Sequence, residues 1–221
     1  MIATLLCTQV KSVMLHLNSD QTVAMIAGTS FAAGLNVYST VGALGLLSRA
    51  GFVQLPSGLQ PVASWWIIGV CLAMFALEFF ADKIPVFDLV WNALHTFVRI
   101  PVAAYVAYAA TSHLSPELQL TCTLMGAAIA FAAHGGKTAV RAAVTPSPEP
   151  FSNMALSFGE DVGAISLTWI ATQHPYTAAA VVAVLLVIVI LCVRWVIRSL
   201  RNLYRQAEAA ISGKKNAQLS S

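Results

Sequence analysis

Charge is what this chain has least of. Asp, Glu, Lys and Arg make up 10% of its 221 residues, against about 25% in a soluble globular domain. So little charge cannot cover a water-facing surface, which excludes an ordinary soluble fold. What charge exists is also clustered, with none in residues 21–48, 50–77, 118–136 or 162–193. A membrane-crossing helix needs about 20 mostly apolar residues, so each run can cross and the last can cross twice. A mean hydropathy of +0.75 agrees. Cysteine is scarce too. Cys7, Cys71, Cys122 and Cys192 are widely spaced with no CxxC pair. They read as small apolar packing residues rather than a disulfide or metal framework. HExxH and nucleophile motifs are missing, so no catalytic residue, metal or cofactor is expected. The net charge of +3 gives no reason to expect nucleic acid. A membrane strand requires alternating polarity, and these runs are apolar on all sides.

What is there reads as an all-α, polytopic transmembrane helix bundle of six spans. They fall at about residues 22–47, 62–80, 87–110, 117–140, 153–172 and 176–197. Breakers lie between them: Gly51 to Pro61, Lys83-Ile84-Pro85, Ser115-Pro116, Pro146 to Pro150, and Gln173-His174-Pro175. Proline disfavours continuing a helix and extends its predecessor. Residues 1–20 form an N-terminal interfacial helix or tail, with no basic signal region. Residues 21–200 form the transmembrane domain and 201–221 a basic tail. Arg194, Arg198, Arg201 and Arg205 step along one face of a helix that continues past the membrane. Placing them in the cytoplasm also brings Lys11, Lys83, Lys137 and Arg141 inside. An inner membrane of a bacterium, with both termini cytoplasmic, is the expected location. The stripe reads as an inner-leaflet anchor or as a surface for anionic lipid headgroups.

Charges inside a bilayer cost at least about 2.5 to 3.5 kcal/mol each, so the few within the spans carry the most information. Glu78 and Asp82 share a face at the end of span two. Asp88, Asn92, His95 and Arg99 form one stripe in span three. His134, Lys137 and Arg141 share a face in span four, beside Gly135 and Gly136, which allow close approach. Asn153, Ser157 and Glu160 share a face in span five, with Asp161 adjacent. Stripes facing lipid would have no partners, so they are expected to converge. Two readings stay open. One is a closed packing network, as the near balance of Glu78, Asp82, Asp88, Glu160 and Asp161 with Lys83, Arg99, Lys137 and Arg141 suggests. The other is a polar cavity among spans two to five. Span one carries no charge, but Thr22, Thr29, Asn36 and Thr40 share a face, and Gly28, Gly34, Gly42 and Gly45 are dense. Tight packing explains the glycines. A broken helix, centred on Asn36 in GLNVYS, is the alternative.

The strings GLNVYSTVGALGLLSRAG, LEFFADKIPVFDLVWNALHTFVRIP, HGGKTAVRAAVTPSPEPFSN and GED resemble domain-of-unknown-function family 4126, a set of small, mostly bacterial membrane proteins. The resemblance covers about residues 24 to 200. It implies that Glu78, Asp82, Lys83, Pro85, Asp88, Arg99, His134, Gly135, Lys137, Arg141, Pro148, Glu149, Pro150, Asn153, Glu160 and Asp161 match motif positions. Arg99-Ile100-Pro101 departs from the family's RP. It implies no activity. Two internal alignments compete. Gly28 with Asn36 matches Gly126 with His134, giving three plus three helices. Alternatively Pro85, Asp88 and Asn92 match Pro150, Asn153 and Ser157.

The leading expectation is a small transporter or lipid flippase. Arg99, Lys137 and Arg141, with His134, His95 and Asn36, would bind an anionic group. Glu78, Asp82, Asp88, Glu160 and Asp161 would hold those bases or carry a coupling proton. The lipid bilayer is the expected partner, with a homo-oligomer or a partner membrane protein as further options. The alternative is a structural or accessory subunit whose charges only pack. An enzyme is the least favoured class, its only candidate being acid–base chemistry at His95 or His134.

Overall fold

The computed structural model describes residues 18–81, 85–144 and 150–219. Among them there is helix and connecting turn and no strand. In chain order these are α1 (Ser19–Leu35), α2 (Val37–Arg49), a 3-10 segment (Ser57–Ala63), α3 (Trp65–Ala81), α4 (Pro85–Ala110), α5 (Pro116–Val144), α6 (Pro150–Gln173) and α7 (Pro175–Leu219). The expected spans fall on these helices, the first on α1 and α2 together. Residues 1–17, which include the expected interfacial helix, lie outside the described residues, as do Asp82, Lys83 and the Pro146–Glu149 breaker. The side chains of Asp88, Asn92 and Asn153 lie outside them too.

Local chemistry sets the helix ends. Helices α4 to α7 each begin on a proline. Its fixed φ suits the first helical position, where the missing N–H would have no partner anyway. Asn18 opens α1 with a capping box to Gln21, satisfying two backbone donors. Gly51 closes α2 at φ 79°. There Phe52 N–H reaches Leu47 O (3.0 Å) and Gly51 N–H reaches Ser48 O (3.1 Å), a Schellman ending that needs the left-handed region.

Helix α1 is the centre of the bundle and packs against α4, α5, α6 and α7. Its small residues allow this. A Cβ on Gly28 would meet the Ala171 and Ala178 methyls, and one on Gly34 would stand 2.5 Å from the Ala130 carbonyl. Being covered all round, α1 has no polar face to show to water, and Thr22, Thr29 and Asn36 are buried within it. The outside is apolar instead. Trp66, Phe97, Phe131, Phe158 and Trp195 are all exposed, and the apolar window of α7 is only 6% buried. A soluble monomer rarely exposes so much contiguous apolar surface; for a bilayer it is the matching solvent.

Three described helices are long and apolar enough to cross: Ala93–Ala110, Pro116–Arg141 and Pro175–Ser199. The 3-10 segment and α3, bent by 62°, make a fourth candidate. Helices α1 and α2 have 17 and 13 residues, each short of the about 20 a crossing takes. The break between them at Asn36 has no counterpart at His134, which lies inside the continuous α5. Pro85 and Pro150 both open helices.

Candidate functional site

The break in the first span is the organising feature. Asn36 is extended (φ −147°, ψ 108°), ending α1 and capping α2. Its Oδ1 accepts from Ser39 N–H (3.0 Å) and its Nδ2 donates to Asp161 Oδ1 (2.8 Å). Ending α1 leaves carbonyls without a helical partner. One of them, Leu35 O, accepts from Lys137 Nζ at 3.1 Å. A cation thus sits at the negative end of one half-helix and a carboxylate beside the positive end of the next, both in the favourable sense of the helix dipole. Thr40 Oγ1 and Ser39 Oγ donate to Asn36 O at 2.8 and 3.1 Å.

From the break the network spreads to α5 and α6. Glu160 Oε2 bridges Lys137 Nζ (2.9 Å) and Arg141 Nη2 (2.5 Å), and Glu160 Oε1 accepts from Arg141 Nε at 3.2 Å. The forked Arg–carboxylate contact fixes orientation as well as charge. Asp161, Lys137 and Arg141 are all buried. Two cations therefore converge on one carboxylate in a place that water does not reach freely.

A second cluster ties α3, α4 and α5. Arg99 and Glu78, 0% and 1% exposed, form an ion pair. Arg99 Nη1 also contacts His134 Nδ1 at 3.0 Å. A guanidinium has only donors, so His134 Nδ1 accepts, and the ring proton on Nε2 is donated to Thr96 Oγ1 at 2.7 Å. Glu78 Oε2 is buried with no hydrogen-bond partner among the described residues. Beside this cluster, His95 Nδ1 donates to Trp91 O (2.8 Å), so in the neutral ring Nε2 accepts the Tyr38 hydroxyl proton (3.0 Å). Tyr38 lies two residues beyond the break, and His134 lies one turn from Lys137 on α5. The two clusters are joined through both helices.

Arg99, Lys137, Arg141, His134, His95, Asn36, Glu78, Glu160 and Asp161 are thus buried or half-buried and each engages another polar group. Asp82 and the Asp88 side chain lie outside the described residues. Sequence reasoning missed three partners. Tyr38 stands within the GLNVYS string and Thr96 is next to His95, but nothing in the sequence sets either hydroxyl against its imidazole, 57 and 38 residues away. The Leu35 carbonyl has no signal, because a backbone acceptor leaves no trace in side-chain chemistry. Among the described residues no group of His, Cys, Asp and Glu could hold a metal ion.

Beside Lys137 and Glu160 a crevice of about 550 Å³ opens among α1, α5, α6 and α7. It is apolar along most of its walls, with Lys137 and Glu160 among its lining. Gly136 meets the Val189 side chain rather than a neighbouring backbone, and a Cβ on Gly135 would meet nothing within 4 Å. No curated protein and no solved structure matches this chain. The family model described as a domain of unknown function, DUF4126, matches residues 23–195, most of the chain and all the charged groups of the network, and the chain belongs to that family.

Proposed function

We propose that this protein is a small membrane transporter or lipid flippase whose substrate presents an anionic group to Lys137 and Arg141. It would cross the bacterial inner membrane six times, with α1 and α2 as one broken crossing and the basic end of α7 in the cytoplasm. The observation that carries the reading is the position of Lys137. It holds the carbonyl at the helix break and Glu160 (3.1 and 2.9 Å), and it also lines the crevice. A substrate anion competing for that ammonium would loosen the break. Broken helices with charged groups at their exposed ends are a recurring transporter device.

Transbilayer movement of fluorescent phosphatidylglycerol in protein-containing vesicles tests this. Wild type should accelerate it, and Lys137→Met should abolish the acceleration while thermal unfolding stays cooperative. Equal rates with Lys137→Met and wild type would remove Lys137 from the site. One observation favours a second reading, that of a structural subunit. Arg99 with Glu78, and Lys137 and Arg141 with Glu160, already satisfy one another. Stable co-purification with one partner membrane protein, and no vesicle activity, would favour it.

A further inference from the structure

The crevice has an apolar wall, a floor of small residues and one charged end. Helix α6 lays Ala155, Gly159 and Gly163 along it at steps of four, and α7 faces them with Val181, Leu185 and Ile188. A Cβ on Gly159 would meet nothing within 4 Å, so the floor is open. Phe31 and Leu35 of α1 line it as well. Gly136 packs on Val189, and Val189 and Cys192 line the crevice together with Lys137. Cys192 also lines a second recess with Leu191, Arg194, Trp195 and Arg198. Arg194 and Arg198 are exposed. The apolar crevice and the basic recess therefore share the Cys192 edge.

The geometry points to one occupant, an anionic phospholipid of the surrounding bilayer. One acyl chain lies in the crevice, and the headgroup phosphate lies beyond Cys192, against Arg194 and Arg198. This rests on the reading of Lys137 as part of a binding site and names the substrate class for it. Water is a poor occupant, because a buried water needs two to four polar partners and the wall offers few. Guanidinium forks suit phosphate oxygens, a basic face disfavours a headgroup that brings its own ammonium, as choline does, and Trp195 beside them suits the interfacial level.

The test uses the full chain in lipid nanodiscs doped with phosphatidylglycerol carrying a photoactivatable diazirine midway along one acyl chain. The matching phosphatidylcholine is the second arm, and adducts are mapped by mass spectrometry. Phosphatidylglycerol should label the peptides around Gly159 to Leu167 and Leu185 to Val189 severalfold more than phosphatidylcholine. Arg194→Gln with Arg198→Gln, both on the surface, should bring that labelling down to the phosphatidylcholine level. Gly159→Trp, which fills the floor, should remove it. Equal labelling by both lipids, or labelling spread evenly around α7, would reduce the crevice to ordinary lipid solvation and overturn the inference. A dimer that disperses on Gly159→Trp, with no lipid adduct, would overturn it in favour of a second copy. Loss of labelling with phosphatidylglycerol movement intact sinks only this inference. Selective labelling with no movement in vesicles sustains the lipid site and sinks the transport reading.

Discussion

Arg99 and Glu78 show how much a single residue carries here. Both are fully buried, and removing one partner of such a pair strands a charge, which costs about 3–5 kcal/mol. Arg99→Met should therefore lower the unfolding temperature sharply in detergent, and Glu78→Leu added to it should restore most of the loss. An unchanged melting temperature for the single variant would mean the pair is not formed. Asn36 permits a finer test. Aspartate caps a helix as well as asparagine, so Asn36→Asp would be neutral if capping were its only role. Because Asn36 Nδ2 donates to Asp161 (2.8 Å), Asn36→Asp sets two carboxylates together. It should destabilise by more than Asn36→Ala, for which the cap alone predicts about 1 kcal/mol. The reverse order, read by thermal unfolding, would disprove the contact. At this scale the sequence was informative about which residues are buried and silent about whom they meet. Cost alone selected Arg99, Lys137 and Glu160. Nothing in a side-chain pattern says that Lys137 ends on the carbonyl of Leu35.

The elements were legible wherever proline or glycine marks their ends. Pro85, Pro116, Pro150 and Pro175 open α4 to α7, and the expected spans three to six lie within these helices. The break in the first span was also readable, from an asparagine set among small residues in an otherwise charge-free run. The rotation of each helix was not. A stripe at steps of three and four defines a face, but not the neighbour that face will meet. Contact between α1 and α5 depends on the absence of a side chain at Gly34, where a Cβ would stand 2.5 Å from the Ala130 carbonyl. Gly34→Val should cost about 1–3 kcal/mol through overpacking. Gly69→Ala, whose Cβ meets nothing within 4 Å, should gain about 0.5–1 kcal/mol from helix propensity. Chemical denaturation of the two variants checks both signs.

At the scale of the molecule, the apolar exterior and buried charge describe a bundle turned inside out relative to a soluble protein. The positive residues predict its orientation. Reporter fusions at residue 1 and residue 221 should both report the cytoplasm, and a fusion in the Gly51–Pro61 loop the opposite side; a split result for the termini would require an odd number of crossings. The central question is whether the ion-pair network is a working site or closed packing. Lys137→Gln separates the two. The amide can still donate to Leu35 O, and Arg141 still pairs with Glu160, so the packing is kept while the ammonium that a substrate anion would meet is gone. Measured as phosphatidylglycerol movement in vesicles, the protein with Lys137→Gln should fold with near wild-type stability and show no acceleration. Full wild-type movement in that variant would contradict the account and leave the network as packing alone.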